Sequence, residues 1–175
     1  LDSQIAKFMY LGIINDTGNF RHSNVTKDTF YISSKLMETG INNREISSIL
    51  FSRSVGKAKI FGKALQEFKY IDDIGFAYFI LTKSEMDNLG LTDDETDGIS
   101  ELLAGIEDVE VSMFVRQDEN LNWKGSFRSK NVDVNKLASN FNGGGHKLAA
   151  GFRFKGEINE ILDKVINKLR GDENA

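Results

Sequence analysis

Five consecutive residues, Asn142-Gly143-Gly144-Gly145-His146, join a stretch of bare main chain to an imidazole. Three glycines in a row give up backbone order, at roughly 1 kcal/mol each against alanine in regular structure. In return, the backbone can approach a ligand closely. Successive N–H groups in such a turn can point inward as an anion nest, and His146 can add a hydrogen bond or a charge. The small residues Ala149-Ala150-Gly151 that follow let the next strand pack tightly against the loop. The plainer alternative is a helix C-cap and tight turn beside a surface histidine. The nine residues Gly143-Gly144-Gly145-His146-Lys147-Leu148-Ala149-Ala150-Gly151 are far more informative than the glycines alone.

Two further groups carry the chemistry of phosphate and metal. Arg128 offers a planar fork suited to a phosphate. It shares one strand face with Lys124 and Ser126, opposite Trp123 and Phe127. A solvated strand face is the alternative reading there. Asp16, in Asn15-Asp16-Thr17-Gly18, follows an apolar segment that can aim a carboxylate into a cleft. An Asx-turn or a helix cap explains the same pattern. His22 reads as an exposed loop residue. Asp93-Asp94-Glu95 reads as a helix N-terminus complementing the dipole, not as a metal site.

Helices and strands must hold these groups. Ile5, Phe8, Met9 and Gly12 follow helical spacing and lead into the Asp16 turn as a buried element. Thr26 caps a helix that stops at Gly40. Asn42 with Glu45 resembles a capping box, and Ile41 with Ile46 its hydrophobic staple. Ser54 caps a helix whose stripe is Ile60, Phe61, Ala64, Leu65 and Phe68. Lys69 to Asp73 and Gly75 to Leu81 form a hairpin, and Ile99, Leu102, Leu103 and Ile106 mark a helix. Val109, Val111, Met113 and Val115 alternate as a strand does, and Trp123, Gly125 and Phe127 alternate on its partner after the turn at Asp118. Asp133 caps a helix carrying Val134, Leu137, Ala138 and Phe141, which leads into the glycine run. A strand near Ala149 to Phe154 follows. Ile158, Ile161, Leu162, Val165, Ile166 and Leu169 give a final amphipathic helix, and the polar tail after Gly171 is expected to fray.

The 175 residues are 40% hydrophobic and 27% charged, ordinary values for a globular chain. A net charge of -4 argues against a broad grip on long duplex DNA, yet leaves room for a local phosphate pocket. Cysteine is absent, which excludes disulfides and thiolate metal sites. The longest apolar run, Phe76 to Leu81, is too short to span a bilayer. A cytoplasmic location is the default, and a homodimer stays open. The chain opens on Leu1, apolar from its first segment, as if it began within a domain.

The Gly143–Gly151 string resembles the signature of the DHH-associated domain. That domain follows the catalytic domain in RecJ-type and NrnA-type phosphoesterases. The resemblance implies that Gly143, Gly144, Gly145 and His146 contact a terminal phosphate or nucleotide, and that Arg128 and Ser129 help hold it. Gly12 to Phe20, with Ser23, Asn24 and Thr26 beyond, resembles the last motif of the DHH catalytic domain. There the aspartate, here Asp16, is a catalytic metal ligand, usually for manganese. Asn15 departs mildly, because threonine is common at that place. A two-metal site needs several carboxylates and imidazoles around cations about 3.5–4 Å apart. The family's Asp-x-Asp and Asp-His-His motifs are absent from this chain.

The implied fold is α/β. Residues 1–52 would end a DHH catalytic domain, 53–70 would form a helical connector, and 71–175 a smaller DHH-associated domain with a mixed sheet flanked by helices. The implied activity is metal-dependent hydrolysis of short oligoribonucleotides and 3'-phosphoadenosine 5'-phosphate, across a cleft toward Asp16, with this chain inactive alone. Two alternatives stand beside it. One is a cyclic-dinucleotide phosphodiesterase of the same superfamily. The other is a non-catalytic nucleic-acid-binding module, like the similar domain that ends alanyl-tRNA synthetases.

Overall fold

The computed structural model describes residues 2–171, and the polar tail expected to fray lies outside the described residues. The chain divides into two compact units, Leu1–Arg53 and Ser54–Ala175.

The first unit holds α1 (Ser3–Asp16), α2 (Lys27–Met37) and α3 (Asn43–Phe51). Asp2, Thr26 and Asn42 cap their N-termini through side-chain oxygens. Asn42 does so without the expected box, because Glu45 turns instead to Lys7. Ala6, Tyr10 and Ile14, four residues apart on α1, pack with Leu36, Ile41 and Ile46. The stripe expected to be buried is thus the wrong one: Ile5, Phe8 and Met9 are exposed. Apolar residues lie on both sides of α1, so spacing alone did not select the face.

The second unit starts with α4 (Val55–Glu67), capped by Ser54. A hairpin of β1 (Lys69–Ile71) and β2 (Phe76–Leu81) follows. Next come α5 (Lys83–Leu89), α6 (Ile99–Ala104), β3 (Val111–Gln117) and β4 (Trp123–Ser129). The chain closes with α7 (Val134–Ser139), β5 (Gly144–His146), β6 (Ala149–Phe154) and α8 (Ile158–Leu169). The sheet order is β1-β2-β3-β4-β6-β5, and only β2 and β3 run parallel, through the crossover that carries α5 and α6. The acidic run forms the first turn of a short 3-10 helix, Asp93–Thr96, as a helix N-terminus.

Each sheet face has its own core, which follows from the period of two in a strand. Val111, Met113, Val115, Phe127, Ala150 and Phe152 meet α7 and α8 on one side. Ala77, Phe79, Leu81 and Phe114 meet α4 and α6 on the other. Complete burial of the larger of these side chains stabilises the unit by about 1.5–3 kcal/mol each. α6 packs on β3 and β4 of the second face and leaves β6 and β5 open beside it.

Candidate phosphate-binding site

The glycine run is not a free loop. Its last two glycines and His146 form β5, an edge strand paired with β6 through Gly144↔Gly151, Gly145↔Ala150 and His146↔Ala149. Asn142 takes φ 54° where the chain leaves α7. The Gly143 N–H donates to the Ala138 carbonyl at 3.0 Å, and the Gly145 N–H to Asn135 Oδ1 at 2.9 Å. Two of the expected nest donors are therefore spent on α7, and the run is anchored rather than lined with free N–H groups. A Cβ at Gly143 would strike the Gly151 carbonyl oxygen and lie 2.6 Å from Phe152 Cβ. One at Gly145 would lie 2.8 Å from Ala150 Cα. At Gly144 the same atom would meet Asn135 Oδ1 at 3.5 Å, an ordinary contact. Close approach to a strand, not to a ligand, thus requires glycine at 143 and 145.

Register sets the side chains in rows, because cross-strand partners point the same way. One row runs Ser112–Arg128–Ala149–His146 across β3, β4, β6 and β5. It brings Arg128 and His146, expected from sequence, onto one face. Ser129 is not brought with them. Strand alternation turns it to the other face, where its hydroxyl accepts from the Val132 N–H at 2.8 Å and the Asn131 N–H at 3.2 Å. Its visible role is to close the turn into α7.

Arg128 is held from α6. Its Nε and Nη2 donate to Glu101 Oε1 at 2.9 and 2.6 Å, and Nη1 donates to the Phe127 carbonyl at 2.7 Å. Of its five N–H groups, one each on Nη1 and Nη2 remains for an anion. Burial pushes the Glu101 carboxyl up. Attraction to Arg128, with hydrogen bonds from Arg128 and Ser100, outweighs burial and holds Glu101 below its ordinary value.

Arg128 and Glu101 border a cleft of about 210 Å3 that also touches Ser126, Lys124, Arg116 and Asp97. Arg116 is 4% exposed. Its Nη2 donates to Asp93, and its buried Nη1 has no hydrogen-bond partner among the described residues. Leaving such a donor unmatched costs about 1–3 kcal/mol, more for a charged group.

The Asp16 turn belongs to the first unit. Asp16 ends α1 and is exposed, and its Oδ2 accepts from Asn24 Nδ2 at 3.0 Å. Gly18, Asn19 and Phe20 take φ values of 54°, 59° and 60°, an uncommon run of left-handed residues. Thr17 secures it, donating to the Ile13 carbonyl at 2.6 Å and accepting from the Phe20 N–H at 3.1 Å. A Cβ at Gly18 would fall inside the His22 ring. Among the described residues, no group of three or more His, Cys, Asp and Glu side chains is placed to hold a metal ion. One carboxylate falls short of a two-metal site, so the residues present do not fit that site by themselves. No helix among the described residues is long and apolar enough to cross a membrane.

Sequence reading passed over Glu101, Arg116, Asn135 and the bond from Asn24 to Asp16. Arg116 carried a usable signal: it is the one charged residue in the strand Val111–Gln117.

The strand order, closed by a glycine-edged hairpin, puts the second unit among mixed-sheet α/β domains. The model of the DHHA1 domain matches residues 73–171, and the chain belongs to that family. It is 35% identical over 153 residues to an uncharacterized protein of Mycoplasma genitalium, covering 87% of this chain and 46% of that protein. It is 29% identical over 152 residues to the bifunctional oligoribonuclease and PAP phosphatase NrnA of Bacillus subtilis, covering 86% and 48%. The crystal structure of an exopolyphosphatase-related protein from Bacteroides fragilis matches with a TM-score of 0.91 and 28% identity, covering 97% of this chain and 51% of that one. The chain thus spans about half the length of these relatives.

Proposed function

We propose that the second unit grips a phosphate of a nucleotide or short oligoribonucleotide through Arg128 and His146, with Gly143–Gly145 holding His146 in place. In the whole protein this grip serves metal-dependent hydrolysis of phosphoesters in short oligoribonucleotides and 3'-phosphoadenosine 5'-phosphate. The reading is carried by one observation: a guanidinium and an imidazole from different strands lie in one row on an open sheet face. It is supported by the likeness to NrnA over most of the chain. A bound nucleotide is thereby oriented, which lowers the entropic barrier to attack at its ester. Asp16 contributes one carboxylate toward divalent cations, manganese on the resemblance. The remaining ligands are not in this chain.

Calorimetric titration with adenosine monophosphate tests the grip. Arg128→Ala and His146→Ala are each expected to weaken binding tenfold or more, as loss of a charged hydrogen bond of about 1.5–3 kcal/mol predicts. Equal affinity in wild type and both variants would overturn the assignment. The same sample with added manganese is expected to hydrolyse nothing.

A further inference from the structure

Arg116, Lys124 and Arg153 form a second row across β3, β4 and β6, in direct register. Like charges placed opposite one another destabilise a sheet. The carboxylates nearby offset this only in part. Asp93 pairs with Arg116, and Asp118 lies close enough to Arg153 to feel its charge. Lys124 is exposed and has no ion-pair partner among the described residues. Arg116, although buried, keeps one Nη without a partner and lines the cleft that also holds Lys124 and Ser126. Lys124 borders a second hollow as well, formed with Arg153, Gly151 and Gly143 beside the glycine run. Three cations in line, one of them desolvated and half-satisfied, form an arrangement that an anion would complete.

We propose that the Arg116–Lys124–Arg153 row is a second anion subsite, which takes a phosphodiester group of a short oligonucleotide. This rests on the reading that Arg128 and His146 hold a phosphate. Lys124 and Arg128 are four residues apart on β4, about 13 Å along an extended strand. Glu101 and the Phe127 carbonyl hold the Arg128 guanidinium in place. One small anion therefore occupies one row, and a chain with separated phosphates occupies both. The second row would distinguish an oligonucleotide from a mononucleotide. Asp93 competes with the incoming phosphate for Arg116.

The test compares adenosine monophosphate, a 5'-phosphorylated adenosine trinucleotide and inorganic phosphate by calorimetry. Wild type, Lys124→Ala, Asp93→Asn and Arg128→Ala are used, and nuclear magnetic resonance follows the Arg116 Nε–H signal. Lys124 is exposed and, among the described residues, unpaired, so its substitution is compatible with folding, whereas Asp93→Asn removes the counter-ion of buried Arg116 and its urea midpoint is measured first. Lys124→Ala is expected to weaken the trinucleotide about fivefold to tenfold and the mononucleotide about twofold at most. Asp93→Asn is expected to tighten the trinucleotide, an outcome that a purely structural Asp93–Arg116 pair would not give. Inorganic phosphate is expected to shift the Arg116 signal even in Arg128→Ala. If Lys124→Ala and Asp93→Asn bind the trinucleotide as wild type does, the second subsite is wrong. Loss of binding in Arg128→Ala would then still uphold the first grip. If Lys124→Ala matters and Arg128→Ala does not, the second row stands as a phosphate site and the first grip falls. If wild type binds none of the three, both fall.

Discussion

At the scale of single residues, the glycines separate into two kinds. Those at 143 and 145 are fixed by the backbone of β6, whereas Gly144 meets nothing closer than ordinary contact. Gly143→Ala is expected to destabilise the chain by about 1–3 kcal/mol, the cost of overpacking. Gly144→Ala should stay within about 0.5 kcal/mol. Urea denaturation of the two variants compares them directly, and equal midpoints would refute the distinction. The Arg128–Glu101 pair has a pH signature. Glu101 titrates lower in the folded chain than unfolded, so its contribution is present above the ordinary carboxylate value. It is lost as pH falls through the folded value, because the unfolded state then binds more protons. Urea midpoints measured from pH 6 down to pH 3 should fall less steeply in Arg128→Ala than in wild type.

At the scale of elements, Asn135 fastens the β5 edge to α7 through the Gly145 N–H. Asn135→Ala is expected to cost about 1 kcal/mol. Its clearer mark is faster amide exchange in β5 with β3 and β4 unchanged. A uniform change across the sheet would argue against so local a tie. Much of this architecture was legible in the chain. The β1–β2 hairpin, the alternating β3 and β4, and the α8 stripe all follow from periods of two and 3.6 in strongly apolar segments. The Thr26, Ser54 and Asp133 caps follow from local side-chain chemistry. What stayed hidden depends on partners distant in sequence. Glycine reads as a loop, so β5 became visible only with β6 beside it. The α1 face depends on where α2 and α3 pack. Arg128 and His146 were legible as a motif, while Glu101, the counter-ion of Arg128, is brought to it only by the packing of α6 on the sheet.

At the scale of the whole molecule, two units each keep a core of their own, joined near Arg53. Residues 52–54 lie outside any helix or strand, and all three are exposed. Brief trypsin treatment is expected to cut after Arg53 and leave two fragments that resist further digestion. Cleavage first inside β2 or β3 would contradict that division. The sheet itself ends on β1 and β5, each three residues long. A margin so short exposes few vacant amides and carbonyls, too few to template an intruding chain. Concentrated solutions should therefore resist fibril growth, and the rim bearing His146 stays clear for small molecules instead of foreign strands.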